Sequence, residues 1–146
     1  MSQFLRGFFF LILVSVVTIC RGQITVTGTT PPTSATYATF SGAGGAFAAI
    51  NAGIHQGVIT CTVTSNITTE TGTVSLLSGS VLPSNYTSVV INPSGNRLVQ
   101  GSAGAQMLDI NGADFVTIDG LNSGGNSLNK KKTNRYSNEA ILKCPH

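Results

Sequence analysis

The chain is 146 residues long, only 9% of them are charged, and the formal net charge is +3 at pH 7. In soluble domains about a quarter of the residues are charged. A helical bundle needs charged helix formers such as Glu and Lys on its outer faces. The composition therefore disfavours a helical bundle and favours one modest domain rich in strands and turns.

The positive charge is confined to the two ends of the chain. The first 22 residues carry two arginines, and the segment from Asn129 carries five Lys or Arg against one Glu. Between them, residues 23–128 carry Arg97 against four carboxylates, which gives a net charge of −3. Because this central part is mildly acidic, we expect no nucleic-acid partner.

Residues 1–22, MSQFLRGFFFLILVSVVTICRG, have the three parts of a secretory signal peptide. Arg6 supplies the positive charge, and Gly7–Ile19 is the apolar stretch. Cys20 and Gly22 are small enough to stand at positions −3 and −1 of a cleavage before Gln23. The apolar stretch has 13 residues, fewer than the ~20 that span a bilayer as a helix. The sequence predicts a secreted or cell-surface protein that meets a membrane only through this peptide during export.

Removal of the leader leaves two cysteines, Cys61 and Cys144. Cys61 alternates with Ile59 and Val63, which indicates an apolar position on a buried strand. A disulfide between Cys61 and Cys144 is the alternative in an exported protein, and the spacing of the two residues does not favour it.

Residues 23–36 predict a short strand at Ile24–Val26 and then a linker broken by Pro31 and Pro32. Apolar residues then recur at helical spacing, which predicts an amphipathic helix over about Tyr37–Ala52 that Gly53 ends. The apolar stripe of this helix consists of Phe40, Ala43, Phe47, Ile50 and Ile54.

After the helix the apolar period drops to two, which predicts short strands. They are expected around Ile59–Val63 and at Val89–Ile91, Leu98–Val99, Met107–Ile110, Val116–Ile118 and Leu121. Three of these runs end on an isoleucine followed by Asn92, Asn111 or Asp119 and then a turn former. Asn and Asp suit such strand-end turns because they tolerate left-handed conformations. Strands this short favour a solenoid over a β-sandwich, which remains the alternative.

Three stretches of the chain resemble one family of proteins. Tyr37–Asn51, Val63–Thr71 (VTSNITTET) and Leu108–Leu128 (LDINGADFVTIDGLNSGGNSL) are similar, in this order, to the pectin-lyase-like domains of large secreted bacterial surface proteins. The resemblance implies an all-β fold, a right-handed parallel β-helix over residues 37–128 with a short N-terminal capping helix. Phe115 departs from the pattern, because a polar residue is usual there.

The resemblance also implies roles for individual residues. Phe40, Phe47, Ile50 and Ile54 are expected to face the first coil as its structural cap. Coils are expected to continue past Leu128, so that this chain would be truncated and would self-associate through an open solenoid end.

Asp109, Asp114 and Asp119 are weak candidates for a metal site or for acid–base catalysis. Their sequence context favours turn and outward strand positions instead, and His55 is expected in a solvent-exposed loop. We therefore predict no catalytic residues, no metal and no cofactor.

The leading functional hypothesis is a non-catalytic, exported, adhesin-like segment that contacts polysaccharide or a cell-surface glycan through polar Thr and Asn strand faces. The alternative is the N-terminal fragment of a polysaccharide lyase or glycoside hydrolase. The scarcity of cations argues against a lyase, because Arg97 is the one Lys or Arg in residues 23–128.

Residues 129–146 form a basic segment, NKKKTNRYSNEAILKCPH, without the Thr and Gly content that precedes it. Its composition predicts a disordered tail. A shift of reading frame in an A-rich run at the lysine codons would produce this change in composition, and a natural basic tail is the alternative.

Overall fold

The computed structural model describes residues 22–102, 106–120 and 127–133, which form eight strands and one helix. In chain order they are β1 (Ile24–Thr29), β2 (Pro32–Tyr37), α1 (Ala46–Asn51), β3 (Gly57–Val63), β4 (Ile67–Glu70), β5 (Tyr86–Pro93), β6 (Asn96–Ser102), β7 (Val116–Ile118) and β8 (Ser127–Thr133).

The strands form two sheets of unequal size. The larger sheet has five strands in the order β2-β1-β3-β5-β7, and the smaller has three in the order β4-β6-β8. Strand β1 runs antiparallel to both of its neighbours, whereas β3, β5 and β7 are mutually parallel. The smaller sheet is parallel throughout. From β3 onward, consecutive strands belong to different sheets.

The expectation of an all-β, right-handed parallel β-helix with an N-terminal capping helix is wrong. The described residues form a small mixed α/β domain with two sheets and no solenoid. The hairpin of β1 and β2 adds antiparallel pairs to the larger sheet, and α1 packs its side chains into the shared core. Apolar periodicity gave the local strand signal, but it carries no information on strand direction or on pairing partners.

The core lies between the inner faces of the two sheets and includes α1. Alternation along each strand produces it, because every second side chain points to the same face. In β3, for example, Ile59, Cys61 and Val63 are fully buried while the residues between them face outward. The core includes Ile91 from the larger sheet, Val99 from the smaller sheet and Phe47 from α1.

The helix is shorter than predicted, and its predicted start at Tyr37 is wrong. Helix α1 begins at Ala46 after a glycine-rich turn, in which Ala46 N–H donates to the Thr39 carbonyl at 2.9 Å. It ends as predicted near Gly53, which has a φ of 72°. Gly53 N–H donates to the Ile50 carbonyl at 2.9 Å and Ile54 N–H to the Ala49 carbonyl at 3.0 Å, the two bonds of a Schellman motif.

Several other boundaries differ from those predicted. Pro32 opens strand β2 and not a linker, and Met107–Ile110 does not form a strand. The predicted start of the tail at Asn129 lies inside β8, which pairs with β6 along its whole length. Leu121 and residues 134–146 lie outside the described residues.

One non-glycine residue of the described ranges has a left-handed backbone conformation. Phe115, just before β7, has a φ of 54° and a side chain that is 79% exposed. A left-handed conformation costs an L-residue with a Cβ roughly 1–2 kcal/mol, and Asn tolerates it better than Phe. The fold therefore holds an exposed aromatic residue in an unfavourable backbone conformation.

We expect Phe115→Asn to raise the free energy of unfolding by about 1 kcal/mol, because Asn relieves the backbone strain and few contacts are lost. Urea unfolding of the two proteins measures the difference. A lower stability of the variant would mean that the ring makes a stabilising contact and would contradict this expectation.

Candidate functional site

The outward face of the larger sheet carries rows of hydroxyl side chains. In the first row, Thr36 of β2 pairs with Thr25 of β1, Thr25 with Thr62 of β3, and Thr62 with Asn92 of β5. These four residues are half-buried or exposed, whereas their neighbours along β1, β3 and β5, such as Val26, Cys61 and Ile91, are fully buried.

A second row lies two residues away along each strand. It runs across all five strands through paired positions: Ser34, Thr27, Thr60, Val90 and Thr117. We call the two rows together the hydroxyl face. Seven of its nine side chains are Ser or Thr, and the other two are Asn92 and Val90.

The hydroxyl face is uncharged, and its central hydroxyls have no hydrogen-bond partner among the described residues. Strands β1, β2, β3, β5 and β7 contain no Asp, Glu, Lys or Arg. Within the described residues, the side chains of Thr25, Thr27, Thr60 and Thr62 make no hydrogen bond. Each of these hydroxyls can donate one hydrogen bond and accept two from a ligand or from water.

The dimensions of the face follow from sheet geometry. Neighbouring strands lie about 4.8 Å apart and alternate side chains along a strand about 6.8 Å apart, so the second row spans about 19 Å. Ser, Thr, Val and Asn are all short, so none of them rises far above its neighbours. The arrangement suits an extended ligand laid across the sheet.

His55 forms a second polar cluster on the inner side of the same sheet. It is fully buried, its Nδ1 lies 2.7 Å from Thr33 Oγ1, and its Nε2 lies 2.8 Å from the Tyr37 hydroxyl. Gly53 and Gly57, with φ of 72° and 73°, bend the chain on either side of it. The expectation of a solvent-exposed loop for His55 is therefore wrong.

The His55 cluster fastens the edge strand β2 to the chain that follows α1. A neutral imidazole has one donor and one acceptor nitrogen, and the Thr33 and Tyr37 hydroxyls complement both. Burial lowers the pKa of His55 below its ordinary value of 6.5, so the neutral form is favoured. Burial also raises the pKa of Tyr37, and the nearby Cys61 adds to the rise. Both partners come from β2, which also supplies Ser34 and Thr36 to the hydroxyl face.

Glu70 is a buried carboxylate at the end of β4 that no sequence pattern marked. It is 2% exposed and accepts hydrogen bonds from Phe40 N–H, from Ser41 N–H at 2.9 Å and from the Ser41 hydroxyl at 2.5 Å. The Ser41 hydroxyl also accepts from Gly72 N–H at 2.8 Å. Glu70 thus supplies hydrogen-bond acceptors for backbone N–H groups in the turn that precedes α1, which is a structural role.

The three predicted acidic candidates do not converge on one site. Asp109 accepts a hydrogen bond from the Ser75 hydroxyl at 2.6 Å and Asp114 accepts one from the Ser78 hydroxyl at 3.0 Å. Asp119 directly follows β7, and its N–H donates to the Ile91 carbonyl at 2.8 Å. Within the described residues, no three His, Cys, Asp or Glu side chains form a group that would hold a metal.

The predicted cap residues divide into two sets. Phe40, Phe47 and Ile50 are fully buried, and the rings of Phe40 and Phe47 pack 5.5 Å apart, whereas Ile54 is 54% exposed. Their role as the cap of a solenoid has no counterpart in this fold.

The predicted strand-end turn residues and Cys61 also have defined positions. Asn92 lies inside β5, one residue before its end, and Asn111 is exposed and precedes Gly112, which has a φ of 75°. Cys61 is buried, as predicted, and its thiol is free. Burial raises the pKa of this thiol to about 12. Cys144 lies outside the described residues.

No family model, no curated protein and no solved structure matches the chain. In the described ranges, no helix is both long and apolar enough to cross a membrane. The resemblance to pectin-lyase-like surface proteins thus has no support beyond the motifs that suggested it.

We expect Glu70→Gln to lower the free energy of unfolding by about 1.5–3 kcal/mol, because the amide removes charge-assisted hydrogen bonds to Phe40 and Ser41. Thr69→Ala, at the exposed neighbouring position, is the control and should change stability by less than about 0.5 kcal/mol. Equal stabilities of the two variants in urea unfolding would refute the anchoring role of Glu70.

Stability should fall as the pH drops below 6.5. Because the pKa of His55 is lower in the folded than in the unfolded chain, the unfolded chain binds a proton more readily, so acid favours unfolding. Above pH 6.5 the contribution is fully present. Urea unfolding of the protein and of His55→Gln at pH 7.5 and at a mildly acid pH measures it. The same loss in both proteins would show that His55 is not responsible.

Proposed function

We propose that this chain is a non-catalytic binding segment of an exported surface or secreted protein, and that it contacts neutral glycans through the hydroxyl face. The observation that carries the proposal is the pair of rows of uncharged, hydroxyl-bearing side chains across the larger sheet, whose central members have no partner within the described fold.

The chemistry of the face matches the chemistry of a glycan. A sugar offers hydroxyl donors and acceptors in similar number, and Ser and Thr hydroxyls can pair with either role. Each neutral hydrogen bond contributes only about 0.5–1.5 kcal/mol net, whereas association costs at least about 4 kcal/mol. Useful affinity therefore requires several positions of the face to be engaged together, as an extended polymer would do.

The export part of the proposal rests on the sequence. The charged, apolar and small-residue regions of residues 1–22 are typical of a secretory leader. A surface location would bring the hydroxyl face into contact with the polysaccharides of the cell's surroundings.

We expect Thr27→Lys to weaken retention on immobilised neutral polysaccharides at least tenfold, because the lysine projects over the second row and adds an unpaired charge. Thr69→Lys is the matched control, since Thr69 is equally an exposed threonine but lies on the smaller sheet. Retention is measured by affinity electrophoresis in gels that contain cellulose derivatives, soluble chitin derivatives or mannan.

Equal retention of the two lysine variants would place binding away from the hydroxyl face. Release of new reducing ends or unsaturated ends from any of these polymers would contradict the non-catalytic part of the proposal.

A further inference from the structure

An exposed apolar border runs beside the hydroxyl face. Phe115 is 79% exposed, and its carbonyl accepts a hydrogen bond from Val89 N–H at 3.1 Å, which fixes it next to β5. It stands two residues before Thr117 of the second row. On the side of β5 away from β7, Val58 of β3 pairs with Ser88 of β5, and the Val58 side chain is 46% exposed.

Neither packing nor backbone preference accounts for a phenylalanine at position 115. Its ring is largely outside the core, and its φ of 54° is one that Phe rarely adopts. Residues held in such conformations against their preference concentrate at ligand-binding sites. An exposed aromatic ring at a strained position is therefore a feature that the fold does not need.

Carboxylates stand on both sides of β7. Asp114 directly precedes Phe115, and Asp119 directly follows the strand; both side chains are exposed. Asp114 uses one oxygen, Oδ2, to accept from the Ser78 hydroxyl at 3.0 Å. This charge disfavours anionic polymers and suits a ligand whose hydroxyls donate to carboxylates, because such charge-assisted bonds are stronger than neutral ones.

We propose that Phe115 is the stacking platform for one pyranose ring of a neutral polysaccharide built from sugars with equatorial hydroxyls, while the hydroxyl face binds the adjoining part of the chain. The inference rests on the proposed function and adds the class of sugar. A pyranose whose substituents are all equatorial presents C–H groups on its two faces and hydroxyls around its rim. The ring faces suit Phe115 and Val58, and the rim suits Asp114 and the threonine rows.

A protein partner fits these features less well. Docking sites for proteins centre on large aromatic and Arg side chains buried in a packed pocket. Here a single ring borders a broad area of short hydroxyl side chains without charge, which offers little apolar area to bury. A second copy of this chain would present the same exposed carboxylates, Asp114 and Asp119, on either side of its own β7, and like charges at such a border oppose docking.

The test compares the full chain with Phe115→Asn, Phe115→Tyr and Leu82→Ala in retention on cellulose and chitin derivatives, whose sugars are equatorial, and on mannan, whose sugars carry an axial hydroxyl. Phe115→Asn should weaken retention by cellulose or chitin at least tenfold, although it is expected to stabilise the fold. Phe115→Tyr should retain binding within about threefold, which is about 0.6 kcal/mol. Leu82→Ala, which removes an apolar side chain that is 81% exposed, should leave retention unchanged.

The remaining outcomes are distinguishable. Retention that survives Phe115→Asn but is lost in Thr27→Lys overturns the stacking role and leaves the proposed function intact. Equal retention on mannan overturns the assignment of sugar class. No retention on any polymer removes both proposals. Dimers in sedimentation that disappear in Phe115→Asn would also overturn the inference, because the ring would then belong to an interface between copies.

Discussion

The architecture depends on the hydrogen bonds between the Glu70 carboxylate and the turn at Phe40 and Ser41. Glu70 ends a strand of the smaller sheet, whereas Phe40 and Ser41 begin the segment that leads into α1. A buried carboxylate is tolerated only when donors surround it, and the backbone N–H groups of an irregular turn need acceptors. One interaction thus meets both requirements and brings Phe40 into the core beside Phe47. The packing of α1 side chains into the core follows from it.

The two faces of the larger sheet have different roles. Its inner face supplies half of the buried apolar core residues, and its outer face carries the hydroxyl rows. The His55 cluster connects them, because Thr33 and Tyr37 belong to the inner side of β2 while Ser34 and Thr36 belong to its outer side. An edge strand has only one neighbouring strand, so these side-chain bonds supply part of the order that a second neighbour would give. The regular spacing of the outer rows rests on that order.

The sequence predicted what local periodicity controls and missed what distant contacts control. Alternation around Cys61 correctly indicated a buried strand, and Gly53 correctly indicated the end of the helix. The predicted start of the helix was wrong because Glu70, which accepts hydrogen bonds from Phe40 and Ser41, lies about thirty residues further along the chain. His55 was misjudged for the same reason. Thr33 and Tyr37, four residues apart on one face of a strand, were the available signal, but nothing local indicated that His55 would lie against them. The predicted fold class was wrong because side chains alternate with the same period of two in short parallel strands and in an antiparallel hairpin, so the apolar pattern does not distinguish them.

The separation of charge between the sheets has a consequence for the conditions under which the proposed binding would occur. The acidic and basic strand residues, Glu70, Arg97 and the lysines of β8, all lie in the smaller sheet, and the larger sheet has none. Dissolved ions screen charged contacts but hardly affect hydrogen bonds between neutral groups. In the proposed function, contacts between the hydroxyl rows and a neutral glycan should therefore keep nearly the same strength from dilute fresh water to concentrated brine, a tolerance that a surface based on ion pairs does not have.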